Sequence, residues 1–167
     1  MDLLEFTGAD VAVIESTYRA FLELLDKAYA TAKVIPQKGA LATFNTLRAK
    51  HILIVLNTGY NHSTASLLLK KLGWEAGREY DLLVTADQVE QSRPHGDMIV
   101  LAQKKLGVPN SSAVAKVGDS IIDIEEGRNA GCGLVVGITT GAHTRGQLES
   151  AEPDVVVDAL GELLALL

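Results

Sequence analysis

The chain has 167 residues, 47% of them hydrophobic and 22% charged, with a formal net charge of −6 and a single cysteine. That length suits one domain able to bury roughly two-thirds of its unfolded surface. The acidic balance and scattered basic residues argue against nucleic-acid binding. Cys132 alone makes neither an internal disulfide nor a multi-cysteine zinc site, and no apolar run approaches the ~20 residues that cross a bilayer.

The first ten residues carry no basic region followed by an apolar one, so no secretion signal is expected and a cytoplasmic location follows by default. Next comes a stripe of Ile14, Tyr18, Phe21, Leu22, Leu25 and Tyr29 at three- and four-residue spacing, which predicts an amphipathic helix from about Asp10 to Ala32. No strand clearly precedes it. Pro36 and Gly39 then break the chain.

From Gly39 the pattern alternates. Helical spacing over 40–50 gives way to an apolar run over 52–57, a helix over 63–73 stopped by Gly73, and a strand over 80–86. A helix over 96–107, strand 113–118, helix 120–131, strand 133–139, short helix 144–151, strand 154–159 and a terminal helix from Leu160 complete the chain. Short apolar strands separated by helices predict an α/β fold: a Rossmann-like, mostly parallel sheet with helices on both faces. Cys132 is expected to be buried as a small apolar residue at a helix-to-strand turn.

Ligands bind beyond the carboxyl ends of such strands. Asn57-Thr58-Gly59, Gly118-Asp119 and Thr139-Thr140-Gly141 all fall there. Asp119 and Asp123 stand four residues apart at a helix start, where hard oxygen ligands suit Mg²⁺. The plainer alternative is that Asp119 or Ser120 caps the helix while Asp123 is solvated. Thr58 and Gly59 end a strand; a hydroxyl with free N–H groups can hold a phosphate, although a plain turn capped by Ser63 or Thr64 is also consistent. Arg93, restrained by Pro94, follows a strand and is placed to neutralise phosphate, or is simply solvated. Asn61 and His62 read as surface residues, and His95, with no cysteine or histidine at ligand spacing, is not read as a metal ligand.

Taken in order, "VLNTGYNHSTASLLLKKLGW", "SRPHGDMI", "KVGDSIIDIEEGRNAGC" and "TTGAHTRGQLESAEPD" resemble the haloacid dehalogenase-like (HAD) hydrolases, and within them the phosphonoacetaldehyde hydrolase-like branch. The likeness runs from about Val34 to Leu167. It implies a Rossmann-like core under a cap domain and Mg²⁺-dependent hydrolysis of a small phosphorylated or phosphonate substrate through an aspartyl-phosphate. It further implies that Thr58 and Gly59 bind the phosphoryl group, Arg93 stabilises its charge, Asp119 ligates Mg²⁺ and Asp123 organises the metal or its waters.

The sequence departs from the family in three places. The family's first motif, a nucleophilic Asp and a second acid ending the first strand, is not found; Asp2, Asp10 and Asp26 follow no apolar strand. Ser92 and Gly96 stand where the family pattern has Gly and Pro. No lysine can be assigned the Schiff-base role of the branch. Residues 1–35 then read as a helical cap remnant and 36–167 as a HAD-like core without its first strand.

In the family sheet that strand lies between the "ILIVLN" and "AVAKVG" strands, so its absence leaves buried edges. A separate N-terminal segment, a second copy donating its residues 3–6, or direct pairing of the two halves would close the gap, and a homo-oligomer or association with a missing segment is expected. The chain then reads as a truncated phosphohydrolase inactive alone, with a non-catalytic interaction module on the same fold as the alternative. A receiver-like domain shares the layout but needs an acidic cluster and a late lysine that are not evident.

Overall fold

The computed structural model describes residues 11–167. Asp2, Asp10 and the apolar segment 3–6 lie outside the described residues. The chain divides into two compact units, residues 1–34 and 35–167. In the first, helix α1 spans Val11–Thr31. Ile14, Leu22, Leu25 and Tyr29 of its stripe are half-buried, whereas Tyr18 and Phe21 are exposed.

The second unit runs α2 (Ala40–Ala49), β1 (Val55–Thr58), α3 (His62–Leu72), β2 (Leu82–Thr85), α4 (Asp97–Leu106), β3 (Ala115–Gly118), α5 (Ile121–Asn129), β4 (Leu134–Ile138), α6 (Arg145–Glu149), β5 (Val155–Val157) and a terminal 3-10 helix (Leu160–Ala165). Every strand pairing is parallel. β1 pairs with β2, from Val55 opposite Leu82 to Thr58 opposite Thr85. β3 pairs with β4 from Ala115 opposite Leu134, and β4 with β5 from Val136 opposite Val155.

The first strand begins later than the apolar run suggests. The Ile54 N–H donates to Asp81 Oδ2 at 2.7 Å, and the Ile54 carbonyl accepts from the Asp81 and Leu82 amides. A side-chain carboxylate thus takes the place of a ladder partner, and regular pairing starts at Val55. The terminal helix expected from Leu160 is wound as a 3-10 helix. Gly161 lowers its α propensity, and adjacent Leu163 and Leu164 reach two different apolar clusters.

Those clusters define the layers. On one face, Leu56 and Leu83 pack with Leu47 of α2, Leu69 of α3 and Leu164, while Val117, Val136, Ile138 and Val157 pack with Leu160 and Leu163. On the other, Val55, Leu82 and Val84 meet Met98 and Ala102 of α4, and Val135 and Val156 meet Ile124 of α5 and Leu148 of α6. The two strand groups share these helical layers, yet they form two sheets, of two and three strands. Direct pairing of the halves, one of the three closures anticipated above, does not occur among the described residues.

Candidate active site

Three loops at strand C-termini build the site. The first follows β1. The Tyr60 N–H donates to Thr58 Oγ1 at 3.2 Å, which folds the turn back on its own hydroxyl. Asn61, not Ser63 or Thr64, caps α3: its Oδ1 accepts the Thr64 N–H at 2.9 Å. The carboxylate of Asp87, beyond β2, accepts the His62 N–H at 3.0 Å, and the Tyr60 carbonyl accepts the Ala86 amide. The Thr58–His62 loop is therefore anchored to the end of the neighbouring strand. The Thr85 hydroxyl and the His62 N–H hold the Asp87 carboxyl below the usual carboxylate range.

The second loop carries Arg93. A Cβ on Gly59 would overlap the Arg93 guanidinium, so the absent side chain lets the cation lie against the β1 turn. Nη1 of Arg93 donates to Asp123 Oδ1 at 2.7 Å. Gly96, which replaces a family proline, also has a packing reason: a Cβ there would overlap Ala130 at the end of α5. Close approach of the α4 start to α5 fixes the loop between them, and Asn129 Nδ2 donates to the Pro94 carbonyl at 2.8 Å.

The third is the start of α5. Asp123 is buried, and its pair of oxygens is fully engaged. Lys116 Nζ lies 3.3 Å from Oδ1, beside Arg93, and Ser120 Oγ donates to Oδ2 at 2.5 Å. A Cβ on Gly118 would overlap Asp123, which seats the carboxylate on the end of β3. Burial alone would push the Asp123 carboxyl up. The Lys116 ammonium, the Ser120 hydroxyl and the Arg93 guanidinium together outweigh it and hold the carboxyl below its usual range. Asp123 is thus not the solvated residue of the plainer alternative.

Ser120 occupies the N-cap position of α5 without a side-chain capping bond, because its hydroxyl serves Asp123. The first amide of the helix, Ile121 N–H, donates instead to His143 Nδ1 at 3.3 Å. The His143 N–H donates to the Asp119 carbonyl, and the Ala142 N–H donates to Asp119 Oδ2 at 2.7 Å. Asp119 is half-buried and faces the Gly141–Ala142 loop, at a cavity of about 350 Å³ that Val117, Gly118, Ile138 and Thr140 also line.

Thr58-Gly59, Arg93 and Asp123 are therefore joined in one chain of contacts that ends on Gly118, next to Asp119. Asp119 itself has no hydrogen bond or ion pair to Thr58, Arg93 or Asp123 among the described residues. Its Oδ1 has no hydrogen-bond partner there either, so one carboxylate oxygen beside a cavity suits a Mg²⁺ that keeps most of its waters. Among the described residues no three acid, His or Cys side chains cluster at metal-binding distance.

A deeper layer was not legible in the motifs. Lys116, 7% exposed, lies 2.5 Å from Glu126 Oε2, and Glu126 is wholly buried. Glu126 Oε1 accepts from Asn57 Nδ2 at 2.9 Å. One glutamate thereby ties β1 to β3. Its signal in the sequence was a lysine inside the apolar run "AVAKVG" and a Glu three residues after Asp123, on the same helix face.

Residues 3–131 match the family model of haloacid dehalogenase-like hydrolases. The chain belongs to that family. Among curated proteins the HAD-like chain is 32% identical over 139 residues to a probable phosphatase, IndB, of Dickeya dadantii, covering 79% of this chain and 58% of that protein. It is 30% identical over 181 residues to the phosphonoacetaldehyde hydrolase of Bordetella avium, covering 95% and 64%. The chain thus spans less than two-thirds of the length of either. A crystal structure of a phosphonoacetaldehyde hydrolase-like protein from Oleispira antarctica matches with a TM-score of 0.82 at 23% identity, over 98% of this chain and 67% of that one, which establishes the HAD-like α/β fold. The phosphonatase-like resemblance read from "KVGDSIIDIEEGRNAG" agrees with these relatives.

Cys132 is half-buried at the α5–β4 turn rather than fully buried. Burial pushes its thiol up to about 11, so it is protonated near neutrality and no nucleophile. No helix among the described residues is long and apolar enough to cross a membrane.

Proposed function

We propose that this chain is the phosphate- and magnesium-gripping part of a HAD-like phosphohydrolase acting on a small phosphate ester or phosphonate, and that alone it does not turn over substrate. The observation that carries the reading is the convergence of the Thr58-Gly59 turn, the Arg93 guanidinium and the end of β3. The Gly59 backbone is bare where Arg93 lies on it, and Thr58 sits one residue away. A phosphoryl oxygen at this rim meets a hydroxyl and a guanidinium together.

Asp119 would hold Mg²⁺, which supplies charge neutralisation at a phosphoryl oxygen. Asp123 acts on Arg93 rather than on solvent: it fixes the guanidinium under the rim while Lys116 compensates the second charge. Among the described residues no free carboxylate stands at the end of a strand beside Thr58, so the nucleophile is not supplied by them. A lone thiol without a disulfide partner suits a reducing, cytoplasmic compartment.

Isothermal titration with inorganic phosphate in the presence of Mg²⁺, paired with p-nitrophenyl phosphate turnover, tests this. Weak phosphate binding, reduced at least tenfold in Arg93→Ala and dependent on Asp119, is expected, with turnover no higher than that of Asp119→Ala. Robust turnover abolished by Asp119→Ala would refute the inactivity. Absence of any phosphate or Mg²⁺ binding would favour the non-catalytic interaction module.

A further inference from the structure

Behind the Thr58-Gly59 rim, four charges of alternating sign stand in line: Arg93, Asp123, Lys116 and Glu126. Arg93, at the near end, lies against Gly59. Glu126, at the far end, is wholly buried. It bonds Asn57 and Lys116 but, among the described residues, neither Asp123 nor Arg93.

The contacts converge on one atom. Arg93 Nη1 donates to Asp123 Oδ1 at 2.7 Å, and Lys116 Nζ lies 3.3 Å from the same oxygen. Oδ2 is taken by the Ser120 hydroxyl at 2.5 Å. Two cations thus share one carboxylate oxygen. Glu126 Oε2 stands closer to the ammonium, at 2.5 Å, and draws it away from Asp123. The lysine stem has little freedom to turn elsewhere. Gly127 of α5 comes so near that an added Cβ would stand 3.0 Å from Lys116 Cβ and Cγ. The ammonium therefore divides itself between two anions, in a setting where little water screens the charges.

We propose that Glu126 is a positioning residue for anion binding: by holding Lys116 it keeps Asp123 Oδ1 for Arg93, and so sets how strongly the Arg93 guanidinium attracts a phosphoryl group. The inference rests on the reading of Arg93 as the phosphate-facing cation. Without the Glu126 charge, the ammonium moves onto Oδ1, Arg93 loses part of its counterion and the cluster gains a net positive charge. Both changes tighten anion binding. Without Lys116, Arg93 has Oδ1 to itself and the cluster loses a positive charge, so binding weakens. A pair that only held the fold together would move both variants the same way, because each leaves a buried partner charge unpaired.

Isothermal titration of the full 167-residue chain with inorganic phosphate, in the presence of Mg²⁺, separates the cases. Glu126→Gln is expected to bind phosphate about threefold to tenfold more tightly than the parent, although its urea midpoint falls. Lys116→Met is expected to bind it more weakly by about the same factor. Glu125→Gln, which removes the same charge from an exposed position on α5, should match the parent. The double variant Lys116→Met with Glu126→Gln leaves no member of the pair charged, so it serves where a lone buried charge prevents folding. Arg93 then holds Oδ1 alone, and weaker binding than in the parent is expected. Weaker or unchanged binding in Glu126→Gln overturns the proposal, as does a gain equal to that of Glu125→Gln, or a double variant that binds as tightly as the parent. Arg93→Ala distinguishes the two levels. Binding lost in Arg93→Ala but unmoved in Glu126→Gln refutes the role of Glu126 alone; binding unchanged in Arg93→Ala refutes the reading of the rim and this inference with it.

Discussion

β4 and β1 both lie in parallel pairings, yet they differ in composition and in what surrounds them: β4 is Leu-Val-Val-Gly-Ile, whereas half of β1 is polar, Asn57 and Thr58. β4 has a neighbour on each side, and four of its five residues are buried. β1 has one neighbour, and none of its four residues is fully buried. Burial thus follows both an apolar sequence and a ladder on each side, and β1 has neither in full. The difference also bears on where polar side chains are tolerated. Asn57 and Lys116 sit on strands that each have an edge without a ladder among the described residues; Glu126 accepts from Asn57 Nδ2 and from the Lys116 ammonium, while Asn57 Oδ1 is left without a partner. No charged side chain occupies the β4 interior.

The largest effect should come from breaking that bridge. Glu126→Ala leaves the Lys116 ammonium without its closest partner in a site 7% exposed, and removal of one member of a buried pair costs about 3–5 kcal/mol. The double variant Lys116→Met with Glu126→Leu should recover most of that loss, because both charges leave together. Urea unfolding midpoints of the parent, Lys116→Met, Glu126→Leu and the double variant close the cycle. In the β4 region the comparable test is apolar: Leu148→Ala, at a fully buried position against Val135, should cost about 2–5 kcal/mol with no pairing term. A Glu126→Ala loss below ~1 kcal/mol would mean that the two edges are not held by this glutamate.

Smaller effects separate the two glycines that seat the site. A methyl at Gly118 meets Asp123 at its Cβ, close to the helix backbone, and cannot be accommodated by a side-chain swing. Gly118→Ala should therefore destabilise by about 1–3 kcal/mol. A methyl at Gly59 meets the far end of Arg93, which can move. Gly59→Ala should cost less stability than Gly118→Ala but displace the guanidinium, lowering phosphate affinity as far as Arg93→Ala does. Equal stability losses with unchanged phosphate binding would contradict the assignment of Arg93 to the rim.

The layered α/β arrangement was legible because period and punctuation agree: each helix from 63 onward stops at a glycine or turn, and each strand is a short apolar run. Gly73 and Gly107 close their helices with φ near 68°, as their positions after "KKL" suggest. Thr58, Arg93 and the Asp119/Asp123 pair were legible because they recur at strand ends. Their partners were not. Nothing in "IIDIEEG" says that Asp123 faces Arg93 and Lys116 rather than water, since a helix face is chosen by packing that spans thirty residues of sequence. The capping of α5 by His143 was equally hidden, because Ser120 offers the expected hydroxyl nearby and spends it on Asp123.

The smallest effect concerns acid and contrasts a surface carboxylate with the buried one. Asp154 Oδ2 accepts the Val135 N–H at 2.6 Å, and its Oδ1 accepts from Arg128 at 2.8 Å. The Val135 N–H, with help from Arg128, holds this carboxyl below its usual range against the opposing effect of burial. A depressed folded-state value contributes stability that is present above the unfolded pKa, about 3.9, and lost as pH falls through the folded one. Arg128 and Asp154 are 42% and 36% exposed, so solvent screening limits the contribution to about 0–1 kcal/mol. Asp154→Asn should therefore lower the urea midpoint slightly at pH 7, and the difference from the parent should shrink as the pH drops below about 4. Asp123→Asn should change stability in the same direction but by more, because its buried carboxylate faces the buried Lys116 ammonium and the half-buried Arg93 guanidinium. A pH-independent deficit in Asp154→Asn would show that the amide's geometry, and not the lost charge, is what the β4 start requires.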